Sequence, residues 1–177
     1  MQIRPANIED LQQILDIYNF ARIHTTAVYD YAPHTLEMRK QWFIAKQKDG
    51  YPVLVAEENG EIKGFCALGS FRAWAAYKFT AENAVYVKET EQGKGIGKLL
   101  MQALIGEAKQ LGFHTIVAGI DEDNRSSITL HERFGFREVA YFKEVGWKFE
   151  RWLDLKFMQL VLRREAEETG DAEFDDV

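Results

Sequence analysis

The chain has one cysteine, three prolines and no excess of positive charge. A lone Cys66 excludes an intrachain disulfide and a cysteine metal cluster. Within Gly64-Phe65-Cys66-Ala67-Leu68 it reads as a buried, inert thiol. The four histidines, His24, His34, His114 and His131, lack zinc-like spacing, so no metal is expected. No apolar run approaches the roughly 20 residues that span a bilayer. Met1-Gln2-Ile3-Arg4-Pro5 lacks a signal-peptide pattern. No membrane partner and a cytoplasmic location are the default expectations. The net charge of −6 argues against nucleic-acid binding, which needs a basic footprint.

What is present suits one domain with a substantial core: 177 residues of ordinary globular composition. The domain is expected over residues 1–162, followed by an acidic tail, 163–177, without apolar periodicity and read as flexible. Gln2–Arg4 reads as a short strand before Pro5. Asn7 is placed to cap a helix in which Leu11, Ile14, Leu15 and Tyr18 share a face. Thr25–Pro33 reads as a polar and aromatic connection. Thr35 is placed to cap a second helix, Leu36–Lys48. Val53–Glu57 and Ile62–Leu68 read as strands joined through Asn59-Gly60, a dipeptide suited to a tight hairpin. An aromatic, cationic stretch follows, with Phe71, Arg72, Trp74, Tyr77, Lys78 and Phe79. Further on, Thr115–Ile120 reads as a buried strand, Asn124–Arg133 as a short helix, and Phe136–Val145 and Phe149–Leu162 as closing strands.

The most informative junction lies between the strand Glu82–Val87 and the amphipathic helix carrying Leu99, Leu100, Ala103, Leu104 and Ala108. It is the loop Gln92-Gly93-Lys94-Gly95-Ile96-Gly97. Glycines let the backbone turn tightly and approach a ligand. The first-turn amides of a helix lack internal partners and favour an anion. Strand, glycine loop and helix together read as a phosphate cradle. The spacing fits neither a P-loop nor a dinucleotide fingerprint.

The pattern Gln-x-x-Gly-x-Gly, here Gln92, Gly95 and Gly97, resembles the coenzyme A loop of GNAT-type N-acetyltransferases. Asn124-Arg125-Ser126-Ser127 with Leu130-His131-Glu132-Arg133-Phe134-Gly135-Phe136 resembles their second cofactor segment. Thr80-Ala81-Glu82-Asn83-Ala84-Val85-Tyr86-Val87 is similar to the signature of the phosphinothricin-type subgroup, as is Val145-Gly146-Trp147-Lys148-Phe149 followed by Trp152, Asp154, Phe157 and Gln159. The resemblance implies an α+β fold with a mixed, twisted sheet of about seven strands flanked by helices. Two central strands would splay apart to admit acetyl-CoA. It further implies that the backbone of Val85, Tyr86 and Val87 pairs with the pantetheine arm. The amides from Gly93 to Lys98, spanning Lys94, Gly95, Ile96 and Gly97 and preceded by Gln92, would hold the pyrophosphate. Asn124 would approach from the far side.

Acetyl transfer to an amine needs a group that takes a proton from the ammonium. Glu82, at the head of the splayed strand, is the candidate base, its carboxylate expected among Trp74, Tyr77 and Phe79, where desolvation raises its pKa. A surface glutamate at a strand end is the plainer alternative. His131 stands where the subgroup has a histidine able to protonate the leaving thiolate, or it is a helix histidine bonded to a carbonyl. Arg72 and Lys78 are candidate clamps for a carboxylate or phosphinate, with Trp74 and Tyr77 as pocket walls; all four also suit an ordinary solvated loop. The resemblance points to phosphinothricin, methionine sulfone or methionine sulfoximine as acceptor, and to a homodimer. The competing readings are a protein N-terminal or polyamine acetyltransferase and a non-catalytic acyl-CoA-binding module.

Overall fold

Capping and alternation set the elements in the order the sequence suggests. In the computed structural model, which describes residues 1–162, the acidic segment 163–177 lies outside the described residues. Strand β1 is Gln2–Pro5. The Asn7 side chain accepts from the amides of Glu9 and Asp10, and Asp10 returns the bond to the Asn7 amide. This capping box starts a 3-10 turn that runs directly into helix α1, Leu11–His24. Thr35 caps α2, Leu36–Lys48. Strands β2, Val53–Glu58, and β3, Glu61–Ser70, meet at Asn59 and Gly60, whose φ angles of 54° and 80° are those of a tight hairpin turn. Then follow β4, Thr80–Val87; α3, Ile96–Gln110; β5, Thr115–Asp121; and α4, Arg125–Arg133. The chain closes with β6, Arg137–Lys148, and β7, Arg151–Val161.

The seven strands form one sheet in the order β1-β2-β3-β4-β5-β7-β6. Every neighbouring pair is antiparallel except β4 with β5. Period-two alternation divides the core. Leu54, Cys66, Leu68 and Ala81 face α3 and its Leu100, Met101 and Leu104. Val53, Val55, Phe65 and Ala67 face the other way, against Leu11 and Ile14 of α1 and Phe43 of α2. No helix among the described residues is long and apolar enough to cross a membrane.

The final hairpin departs from expectation. Gly146, Trp147 and Lys148 belong to β6, paired with Leu153, Trp152 and Arg151. The turn is Phe149-Glu150, with φ angles of 54° and 59°. An aromatic residue favours strands, so Phe149 disguises the turn. The register also shifts between Phe142 and Gly146, where Glu144 adopts φ 54°.

Candidate active site

Strands β4 and β5 pair over only three positions: Thr80 with Thr115, Ala81 with Ile116, and Glu82 with Val117. Beyond Glu82, β4 keeps its antiparallel partner β3 through Val87, while β5 continues against β7 through Asp121. The two strands therefore part at Glu82. Alternate backbone groups of Asn83 to Val87 face the opening without a strand partner, which is a template for an extended ligand. A cleft of about 420 Å³ occupies the notch, with Glu82, Val85, Tyr86, Asn124 and His131 among its lining residues. Val87 packs against the core on the α3 side.

The glycine loop lies just beyond the end of β4. Gly95 is the N-cap of α3 and adopts φ 83°, a left-handed conformation natural to glycine, with no side chain capping the helix. The amides of Gly93, Lys94, Gly95, Ile96 and Gly97 have no backbone acceptor among the described residues. Open space surrounds the missing Cβ positions of Gly93 and Gly95. Such a row of free amides at a helix start fits a diphosphate. Three details differ from the sequence reading. The Lys98 amide already donates to the Gly95 carbonyl at 3.1 Å, so only its exposed side chain remains for a ligand. The Ile96 side chain is buried in the core, leaving its backbone alone for recognition. A Cβ on Gly97 would press on Leu130 Cδ2 at 3.3 Å and approach Val87, so its missing side chain serves helix packing, while its amide stays in the open row. Gln92 is exposed, and the Lys94 ammonium is engaged by Glu91 at 2.9 Å.

On the α1–α2 face of the sheet, Glu82 is half-buried and makes no ion pair or side-chain hydrogen bond among the described residues. Burial pushes its carboxyl above the ordinary range, while Arg72 and Lys46 pull it back. The enclosure is not the expected aromatic one. Trp74, Tyr77 and Phe79 are exposed, Trp74 at 71%. Instead Gly119 of β5 leaves room beside the carboxylate: a Cβ there would lie 3.6 Å from Glu82 Oε1 and against Phe157. Phe157 in turn meets the edge of Phe71 and of Phe142. Lys46 of α2 completes the surroundings, lining the same cleft.

On the opposite face, α4 presents Asn124 and His131. The Asn124 side chain caps α4, accepting from the Ser127 amide at 3.2 Å and the Ser126 hydroxyl at 3.0 Å. His131 is buried, and burial pushes its pKa down, so the ring is neutral. Its Nδ1 lies 2.7 Å from the Ser127 carbonyl and carries the proton that this oxygen accepts. Nε2 is then the acceptor, 3.0 Å from the Asn83 amide nitrogen. The ring thus offers no N–H to the cleft.

The connection after α1, a segment without assigned chemistry in the sequence, forms the roof. Ala27, Val28 and Tyr29 line the cleft. Asp121, at the end of β5, accepts from Tyr29 Oη at 2.6 Å and Thr26 Oγ1 at 2.8 Å. Lys148 holds the same segment from below, its buried ammonium donating to the carbonyls of Arg22, Thr25 and Val28 at 2.5, 2.7 and 2.9 Å. Lys46, Tyr29 and Asp121 are cleft residues that the sequence reading missed. Tyr29 and Asp121 carried a faint signal, an aromatic within a polar connection and an acid at a strand end.

The cleft lining does not include Arg72, Trp74, Tyr77 or Lys78. Arg72 is exposed at the mouth, its guanidinium 4.2 Å from the centre of the Phe71 ring and donating to the Phe71 carbonyl. Lys78 lies over Phe79 at 4.8 Å. Tyr77 lies outside the cleft lining and meets Phe71 edge to face.

Residues 3–157 match the model of an acetyltransferase (GNAT) domain. The chain is 45% identical over 166 residues to the L-methionine sulfoximine/L-methionine sulfone acetyltransferase of Salmonella typhimurium, covering 94% of this chain and 97% of that protein. It is 38% identical over 162 residues to the phosphinothricin N-acetyltransferase of Streptomyces coelicolor, covering 90% and 95% of the two chains. Among solved structures, an acetyltransferase of Salmonella typhimurium, determined with its cofactor acetyl-CoA, superposes with a TM-score of 0.90 at 44% identity, covering 93% of this chain and 95% of that one.

Proposed function

The chain belongs to the acetyltransferase (GNAT) family and is an acetyl-CoA-dependent N-acetyltransferase; on that premise we propose that its acceptor is the α-amine of a small polar amino acid of the methionine sulfone, methionine sulfoximine or phosphinothricin type. The observation that carries this reading is the setting of Glu82. A half-buried carboxylate stands where β4 and β5 part, with the cations Lys46 and Arg72 close enough to influence it. Such a site takes a proton from an ammonium and attracts an acid group at the same time.

When bound, acetyl-CoA would supply a thioester carbonyl open to attack by a neutral amine: the C–N bond forms, the C–S bond breaks, and coenzyme A leaves as a thiolate that takes up the proton the nitrogen sheds. Glu82 removes the ammonium proton, directly or through water, and its burial brings it closer to the working pH. The free N–H groups on the β4 edge are fixed donors for negative charge that develops in the cleft. The open amides from Gly93 to Gly97 fit the diphosphate, and the alternate backbone groups that β4 leaves free along Val85, Tyr86 and Val87 fit the pantetheine arm. Two nearby cations disfavour a polyamine acceptor.

We also propose a homodimer built on the closing hairpin. Tyr141, Phe142, Val145, Trp147, Phe149 and Trp152 are all exposed in the single chain. This much aromatic surface is typical of an interface core.

Thiol release from acetyl-CoA, measured with methionine sulfone, methionine sulfoximine, phosphinothricin, spermidine and a short peptide, tests the acceptor class. Turnover is expected with the three amino acids. Turnover with spermidine or the peptide alone would contradict the proposal.

A further inference from the structure

We propose that Lys46 is the specificity-determining residue for the acceptor's carboxylate, anchoring it beside the amine that Glu82 deprotonates. The inference rests on the reading of the acceptor as an amino acid and deepens it.

Lys46 lies near the C-terminal end of α2, on the face of the sheet that carries Glu82. Its ammonium rests over Gly69 of β3, so closely that a Cβ there would overlap it. Gly69 is the sheet partner of Glu82. The missing side chain therefore lets a helix lysine reach the strand beside the candidate base. Among the described residues the Lys46 ammonium makes no ion pair and no hydrogen bond, and its one cation–π contact is the Tyr51 ring at 5.2 Å. Burial pushes the ammonium below its ordinary range, with Glu82 and then Asp49 holding it up.

A half-buried cation without an acceptor is costly unless something arrives to pair with it. An α-amino acid presents its carboxylate one carbon from its amine. The two site groups that match this adjacency are Lys46 and Glu82, which share one wall of the cleft. Arg72 sits outside the lining, at the exposed mouth, and suits the far end of the acceptor, where a sulfone, sulfoximine or phosphinate oxygen would lie. The two cations thus read different ends of one molecule.

The test compares L-methionine sulfone with 3-(methylsulfonyl)propylamine, which is the same molecule without its carboxylate. Wild-type enzyme is expected to prefer the acid. Lys46→Met should raise KM for the acid by about 10- to 100-fold, the size of a lost charge-assisted hydrogen bond, and collapse the acid-to-amine ratio of kcat/KM. Lys46→Arg should restore part of that ratio. Gly69→Ala, which pushes the ammonium aside without removing its charge, should lower the ratio in the same direction. Acetyl-CoA titration and thermal melting of each variant show that the fold and the cofactor site persist. A Lys46→Met enzyme that keeps the wild-type ratio overturns the assignment of Lys46 and leaves the acceptor class standing. A wild-type enzyme that uses the amine as well as the acid does the same. A wild-type enzyme that acetylates no amino acid overturns both.

Discussion

His131 and Asn83 meet side chain to side chain at 3.0 Å beneath the cleft, one from α4 and the other from β4. The contact ties α4 to β4, the strand that carries the proposed base Glu82. It also commits His131 Nε2 as an acceptor, since Nδ1 gives its proton to the Ser127 carbonyl. A neutral ring with both nitrogens occupied holds position better than it donates a proton.

His131→Leu is therefore expected to act on stability more than on chemistry. Removing the ring leaves the buried Asn83 amide without this partner, at a cost of about 1–3 kcal/mol, while kcat should fall by less than about 10-fold, below the range of a lost general acid. The pH dependence has a definite sign. The folded-state pKa of His131 lies below the ordinary 6.5, so the unfolded chain binds the proton more tightly. Stability is fully present above 6.5 and is lost as pH falls towards the folded value. His34 is held down in the same direction by burial and by Arg22 and Arg39. Urea denaturation between pH 7.5 and 5 should show a decline that is shallower in His131→Leu, not abolished. A large kcat loss in a fully stable variant would restore the ring to the chemistry.

The glycines of the proposed diphosphate loop should separate into two kinds. Gly95→Ala forces a side chain into a left-handed conformation at the N-cap and disturbs the amide row. Acetyl-CoA binding is expected to weaken by about 10-fold or more, an amount comparable to one lost charge-assisted hydrogen bond, in a protein that still folds. Gly97→Val instead crowds Leu130 and Val87, and overpacking of this kind costs about 1–3 kcal/mol. Calorimetric titration and urea denaturation, run on both variants, distinguish the two. Wild-type affinity in folded Gly95→Ala would remove the diphosphate from this loop.

The closing hairpin carries the assembly prediction. Trp147 and Trp152 stack edge to face at 5.0 Å, yet both are about half exposed in the single chain. Light scattering at micromolar concentration is expected to give twice the chain mass of 20.5 kDa. Trp152→Glu should shift the equilibrium towards the single chain by placing a charge in the apolar patch. A monomer mass for the unaltered protein contradicts the proposed dimer.

Much of the fold was readable because local signals agreed. Asn7 and Thr35 cap helices where their side chains suggested, and the strands around Asn59-Gly60 pair as drawn. The candidate site was readable where it follows from backbone pattern, as in the glycine-rich start of α3 at Gly95, and Glu82 lines the cleft as its place on β4 suggests. It was opaque where a side chain acts across the sequence. Lys46 is one of 22 lysines and arginines, and only the pairing of Gly69 with Glu82 shows why its ammonium belongs to the cleft. Trp74 is an aromatic close in sequence to β4, but a short turn carries it outward. Phe149 resembled a strand residue because its positive φ comes from the hairpin around it and not from its own preference.

Glu82 is the proposed base, and the kinetics of Glu82→Gln test that most directly. The substitution preserves size and polarity and removes the basic site. With methionine sulfone at neutral pH, kcat is expected to fall by about 10²–10⁴-fold, while calorimetry shows acetyl-CoA bound as in the wild type. In the wild type, activity should rise with pH as the carboxyl, raised above its ordinary 4.5 by burial, loses its proton. In the variant that rise should give way to one at higher pH, where the amine is already neutral. A Glu82→Gln enzyme that retains full kcat at neutral pH would contradict the account and place the base elsewhere.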